Sequence, residues 1–183
     1  MKKFELTSEF NLNFFGRKFF RIKALVNIER YGVKAGDLGG WVEKEDNLSQ
    51  SGNAWVSSNA KVSGNAKVSG DAVVSGDAKV YGNAKVSGDA VVYGNAEVSG
   101  DAWVSGDADY AVIKGFGTVY RPTTFFRCHD GEARVTCGCF YGTIDEFREQ
   151  VKRTRKGKVA DEYLKIADLM EYHFKKEDSG ENV

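Results

Sequence analysis

A valine returns every six residues through the middle of this chain, at positions 56, 62, 68, 74, 80, 86, 92, 98 and 104, and an alanine stands two places before each one. Six does not fit the face of a helix. It fits a short extended piece, Ala-x-Val-x, in which alternate residues share a face. Alanine and valine then point inward and the two x positions point outward. The Gly-Asp or Gly-Asn pair that closes most units tolerates positive φ and makes a corner. Three such pieces close a triangular coil of 18 residues, and successive coils stack by backbone hydrogen bonds at about 4.8 Å. The apolar positions never slip phase, which sets the stretch apart from disordered low-complexity sequence.

The repeat begins before its most regular part. Val42 and Leu48 are also six apart, and two extra residues before Val56 read as a corner insertion. The rod therefore runs from Trp41 to Tyr110, roughly four coils, and needs a cap at each end. A period of 18 sorts the outward positions into three faces. One carries Trp55, Val73 and Val91, with Ser57, Ser75 and Tyr93 beside them. A second carries Lys61, Lys79 and Glu97, and the third Lys67, Lys85 and Trp103. Only the first is apolar, and an exposed apolar stripe marks an interface. Trp55, Val73, Val91 and Tyr93 are thus the expected contact in a homotrimer. One corner stacks Asn53, Asp71, Asp89 and Asp107, which reads either as a cation column or as solvated carboxylates.

The unit V-S-G-D-A-K resembles the hexapeptide-repeat family, whose motif is [LIV]-G-x-x-[STAV]-x. Here Ser or Tyr replaces the motif's glycine, and glycine follows one place later. The resemblance implies a left-handed parallel β-helix, commonly a homotrimer. The stretch GDLGGWVEKEDNLSQSGNAWV, from Gly36 to Val56, resembles the start of the repeat in a group of phage and prophage proteins, many described as hexapeptide-repeat or polymer-forming proteins. The expected fold class is mainly β: a left-handed parallel β-helix over residues 41–110, an N-terminal β cap over 1–40, a small C-terminal α+β unit over 111–178 and a tail over 179–183.

The cap sequence FELTSEFNLNFFGRKFFRIKALV reads as two strands around Gly16. In the C-terminal unit, Asp130-Gly131 reads as a two-residue type I′ hairpin turn. That register places Arg127 opposite Arg134, Cys128 opposite Ala133, and Phe125, Arg127, His129, Glu132 and Arg134 on one face. Thr143 and Glu146 form a capping box for a helix that buries Ile144, Phe147 and Val151. A basic loop, KRTRKGK, leads to a second helix from about Val159 to Lys175, with Val159, Tyr163, Ile166, Met170 and Phe174 as its apolar stripe.

Composition narrows the function. Lys plus Arg equals Asp plus Glu, 26 each, so no global field points to nucleic acid or a membrane. No apolar run is long enough to span a bilayer, and the start of the chain lacks the apolar core of a signal peptide. Three cysteines argue against a disulfide framework and for a reducing compartment.

Hexapeptide-repeat proteins include acyltransferases, which typically use a histidine base in or near the coils, and carbonic anhydrases, which need three histidines for zinc. This chain has two, His129 and His173, neither in the rod sequence. Counting Cys128, His129, Cys137 and Cys139 as a zinc set fails, because the hairpin turns His129 away from the cysteines. No metal or cofactor is expected, and the reading leans away from an enzyme.

Two arginines facing across a strand pair repel each other, and a bound anion relieves them. Arg127, Arg134 and Arg121, with Phe125 and His129, are therefore the expected site for an anionic, nucleotide-like ligand. The first reading is a phage- or prophage-encoded, non-catalytic homotrimer in the host cytoplasm, an anti-defence protein that sequesters such a signal or docks on a host protein. The alternatives are an acyltransferase-type enzyme and a structural virion or scaffold component.

Overall fold

A computed structural model describes residues 2–175 of the 183; the expected tail at 179–183 lies outside them. The N-terminal segment forms strands β1 (Phe4–Leu12), β2 (Lys18–Ala24) and β3 (Leu38–Val42). The rod follows as nine two-residue strands: β4 (Trp55–Val56), β5 (Lys61–Val62), β6 (Lys67–Val68), β7 (Val73–Val74), β8 (Lys79–Val80), β9 (Lys85–Val86), β10 (Val91–Val92), β11 (Glu97–Val98) and β12 (Trp103–Val104). The remainder is β13 (Tyr110–Ile113), β14 (Thr123–Arg127), β15 (Ala133–Cys137), β16 (Phe140–Thr143), α1 (Ile144–Thr154) and α2 (Lys158–Phe174).

The 18-residue stacking read from the sequence is the register found. Trp55 pairs with Val73 and Val73 with Val91; Lys61 pairs with Lys79 and Lys79 with Glu97; Lys67 pairs with Lys85 and Lys85 with Trp103, all parallel. The lead-in pairs across 20 residues instead, Trp41 with Lys61 and Leu48 with Val68, because of the two-residue insertion. Every repeat alanine and valine from Ala54 to Val104 is buried. Most corners turn at a glycine in the left-handed region, and Ser58 takes φ 56 at one of them. Where another coil stacks on the corner, an added Cβ meets its backbone, as at Gly82, where it lies 2.9 Å from Gly100 N.

Asparagines and aspartates tie the corners together from coil to coil: Asn53 Nδ2 donates to Asp71 Oδ1 at 2.8 Å and Asn59 Nδ2 to Asp77 Oδ1 at 3.2 Å. The carboxylate column that the sequence left open is bridged by a protein cation. Arg30, from the 3₁₀ turn Glu29–Tyr31, reaches Asp71 and Asp89 at 2.8 Å each.

Both ends are closed. The β1–β2 hairpin joins β3, so that a six-stranded sheet β1-β2-β3-β5-β8-β11 continues the second face of the rod. Side chains occupy first-coil carbonyls that no coil covers: Lys3 Nζ donates to Ala54 O at 2.7 Å and Asn47 Nδ2 to Ala66 O at 2.9 Å. Burial lowers the Lys3 pKa to about 8, against an opposing pull from Asp71.

At the far end the antiparallel sheet β13-β14-β15-β16 packs on the last coil. Phe126 and Cys128 join the rod's core, whereas Phe125 and Val135 join a second core with α1 and α2. Both helices form as expected. Glu146 N donates to Thr143 Oγ1 at 3.1 Å and Thr143 N to Glu146 Oε2 at 2.7 Å, completing the capping box. Tyr163, Ile166, Met170 and Phe174 are buried along α2, with Val159 partly so.

Candidate functional site

The sheet at the rod's end does not build the expected two-arginine site. Cys128 N donates to Glu132 O at 2.8 Å and Gly131 N to Cys128 O at 2.9 Å, so the loop has three residues, His129 to Gly131, rather than two. Gly131 takes φ 85 at its last position, the usual geometry of a three-residue hairpin loop. One extra loop residue shifts the register by one: Arg127 pairs with Ala133 and Phe126 with Arg134. A one-residue slip turns every side chain of one strand to the other face, so Arg127 and Arg134 lie on opposite faces of the sheet.

Each arginine has protein partners. Arg127 Nε meets Asp109 Oδ1 at 3.2 Å and Arg127 Nη1 donates to Phe174 O at 3.3 Å. Arg134 Nη2 meets Asp130 Oδ2 at 2.6 Å. Phe125 is fully buried and offers no stacking surface. His129 turns back onto the rod, its ring stacked on Trp103 with centroids 4.9 Å apart. Arg121 is exposed and lies elsewhere, at the mouth of a small cavity beside α1. Trp55 is 3% exposed within the single chain, its ring packed against Gly39. That leaves Val73 and Val91, half-buried, and exposed Tyr93 as the outer part of the apolar stripe.

A large cleft lies on the rod's second face, beside the β1–β2 hairpin tip. Its volume is about 760 Å³. Local sequence explains its shape. Asn13 Oδ1 accepts from Phe15 N at 3.0 Å and from Arg17 N at 2.8 Å, and Gly16 takes φ 76, which together form the turn. Arg17 then reaches Glu43 Oε2 at 3.1 Å, and the same oxygen accepts from Gly64 N at 2.6 Å, pinning the tip to a rod corner.

Phe15, Arg17 and Phe19 line the hairpin side; Lys61, Lys79 and Tyr81 line the rod side. Lys79 Nζ is paired with Glu97 Oε1 at 2.6 Å. Lys61 has no carboxylate partner among the described residues, and its ammonium lies 5.4 Å from the Phe19 ring centroid. Three cations and one carboxylate border the cleft, with Asn13, Asn65 and Asn83 at its edge. Neither histidine lines it. His173 Nε2 sits 3.1 Å from Ala108 O, near the other end of the rod. Among the described residues no group of three His, Cys, Asp or Glu side chains is placed to hold a metal ion.

The cleft's residues were not singled out from the sequence as a site. One signal was present: Tyr81 stands where the preceding and following coils have Ser63 and Ser99. The repeat does not require an aromatic ring at that corner. The hairpin wall of the cleft depends on the hairpin's fold and left no such mark.

Residues 60–76 and 78–94 match the family model described as YdcK Beta solenoid repeat, wholly within the rod. The chain contains a β-solenoid repeat domain. Comparison with curated proteins gives no match.

Proposed function

We propose that this β-solenoid protein is a non-catalytic, homotrimeric binding protein whose rod-side cleft takes a nucleotide-like anion. One observation carries the reading. A cleft of about 760 Å³ brings Lys61, which has no carboxylate partner among the described residues, together with exposed Phe15, half-buried Tyr81 and side-chain amides. That is within the size range of small-molecule sites. Each component matches one part of a nucleotide. The Lys61 ammonium and the neighbouring Arg17 suit a phosphate. Phe15 and Tyr81 offer faces on which a base stacks. Asparagine amides both donate and accept, as base edges and ribose hydroxyls require.

The rod holds the lysine face rigid, and a trimer presents three equivalent clefts, an arrangement suited to sequestering a signal. In this reading the protein acts in a host cytoplasm as a phage or prophage product. The resemblance of the Gly36–Val56 stretch supports that origin.

Calorimetry with adenosine and guanosine mono-, di- and cyclic nucleotides tests the proposal. Tyr81→Ser restores the repeat's own residue, so the fold is expected to persist. It removes a stack of about 1–3 kcal/mol. Lys61→Glu reverses the lysine charge. Both are expected to weaken binding about fivefold or more. Absence of binding across the panel, or parental affinity in both variants, overturns the reading.

A further inference from the structure

The small cavity in the C-terminal unit has a different chemistry from the cleft. It holds about 250 Å³ between α1, the β15–β16 turn and the loop that joins β13 to β14. Its walls are mainly apolar, with Val119, Phe140, Phe147, Val151 and Tyr163, and Thr118, Gln150 and Thr154 add polar groups to the lining. The rings interlock, Phe147 packing on Phe140 with centroids 5.5 Å apart and on Tyr163 at 5.8 Å. The covering loop is tied down, because Tyr163 OH donates to Phe116 O at 3.3 Å. Gly117 there (φ 73) has no room for a Cβ, which would lie 2.4 Å from the Tyr163 hydroxyl oxygen.

Two guanidinium groups stand at the mouth, Arg121 from the loop and Arg155 from the basic segment after α1. Both side chains are exposed, and neither has a carboxylate partner among the described residues. A mainly apolar chamber with two cations that lack a carboxylate partner among the described residues complements a molecule with an apolar body and one anionic end.

We propose that this cavity is a second binding site, which takes a small amphipathic carboxylate, its hydrocarbon or aryl body against Phe140, Phe147 and Tyr163 and its carboxylate between Arg121 and Arg155. The site is separate from the rod-side cleft and shares no lining residue with it. Cys139, exposed and part of the lining, gives an independent readout, because an occupant shields its thiol.

The test uses the full chain with decanoate and 2-naphthoate as probes and decanol as the uncharged counterpart. Calorimetry is expected to show both carboxylates binding, with decanol at least tenfold weaker. The double variant Arg121→Ala/Arg155→Ala is expected to lose at least tenfold for the carboxylates and nothing for decanol. Lys156→Ala, a basic-loop neighbour outside the lining, and Lys61→Glu in the cleft are expected to leave the affinity unchanged. Saturating decanoate is expected to slow iodoacetamide alkylation of Cys139 several-fold, read by mass spectrometry, in the parent but not in the double variant. No carboxylate binding, equal binding of decanoate and decanol, or carboxylate affinity and Cys139 protection unaltered in the double variant each overturn the proposal. Because Lys61→Glu reports on the cleft alone, failure here and failure of the nucleotide reading are distinguished.

Discussion

Two corner glycines of nearly the same conformation separate backbone strain from coil-to-coil contact. Gly88 has φ 59 and Gly94 has φ 69. A Cβ built on Gly88 lies 2.2 Å from Ser105 O, whereas one on Gly94 meets nothing within 4 Å. The difference follows from position: Gly88 still has a coil beneath it, and Gly94 stands where its corner column ends. Gly94→Ala therefore meets only the left-handed backbone cost, about 1 kcal/mol.

Gly88→Ala meets that cost and a collision with a backbone carbonyl. The coil cannot yield freely, because Asp71 N donates to Gly88 O at 2.9 Å and Ser87 N to Val104 O at 2.9 Å. Overpacking of this kind adds about 1–3 kcal/mol, for a total of about 2–4 kcal/mol. The gain from restricting the unfolded chain is the same in both variants and cancels in the comparison. Equilibrium urea unfolding followed by far-UV circular dichroism gives both values. Equal destabilisation, within about 0.5 kcal/mol, would show that contact between stacked corners does not set the glycine requirement of the rod.

Other perturbations test the ends and faces of the rod. Lys3 has its pKa lowered from 10.5 to about 8, so between those values the unfolded chain holds a proton that the folded chain has lost, and stability rises with pH. Cys128, raised by burial from 9.0 to about 11, acts in the opposite direction above pH 9. The Lys3 contribution is therefore clearest from pH 8 to 9, worth about 1 kcal/mol, and Lys3→Met is expected to abolish that rise in urea titrations. Arg30→Ala leaves Asp71 and Asp89 unbridged; since these groups are largely exposed, the loss is expected to stay under about 1 kcal/mol and to shrink in 1 M NaCl as screening grows. Thermal melts across salt concentrations check it. If the trimer packs through the first face, Val73→Lys with Val91→Lys gives monomers or aggregates in sedimentation velocity; an unchanged trimer removes that face from the interface.

The rod was legible because its constraint is local and repeated. Alanine and valine at fixed spacing determine which side is buried, glycine before Asp or Asn determines where the chain turns, and an 18-residue period determines which residues stack. Even the lead-in insertion before Val56 could be counted, and the capping box at Thr143 lies within four residues. The candidate site was less legible, because it depends on contacts between segments far apart in sequence. Asp130-Gly131 signals a hairpin, but two- and three-residue loops both use that pair. The choice between them, settled where Cys128, His129 and Asp101 meet the rod's end, sent Arg127 and Arg134 to opposite faces. Trp55 looked outward by period alone, until the N-terminal cap covered it. Lys61 was placed on the second face by its period, but the cleft it shares with Tyr81 exists only because the hairpin tip, 44 or more residues away in sequence, folds beside them. Periodicity determines which way a side chain points; only tertiary packing decides what it meets there.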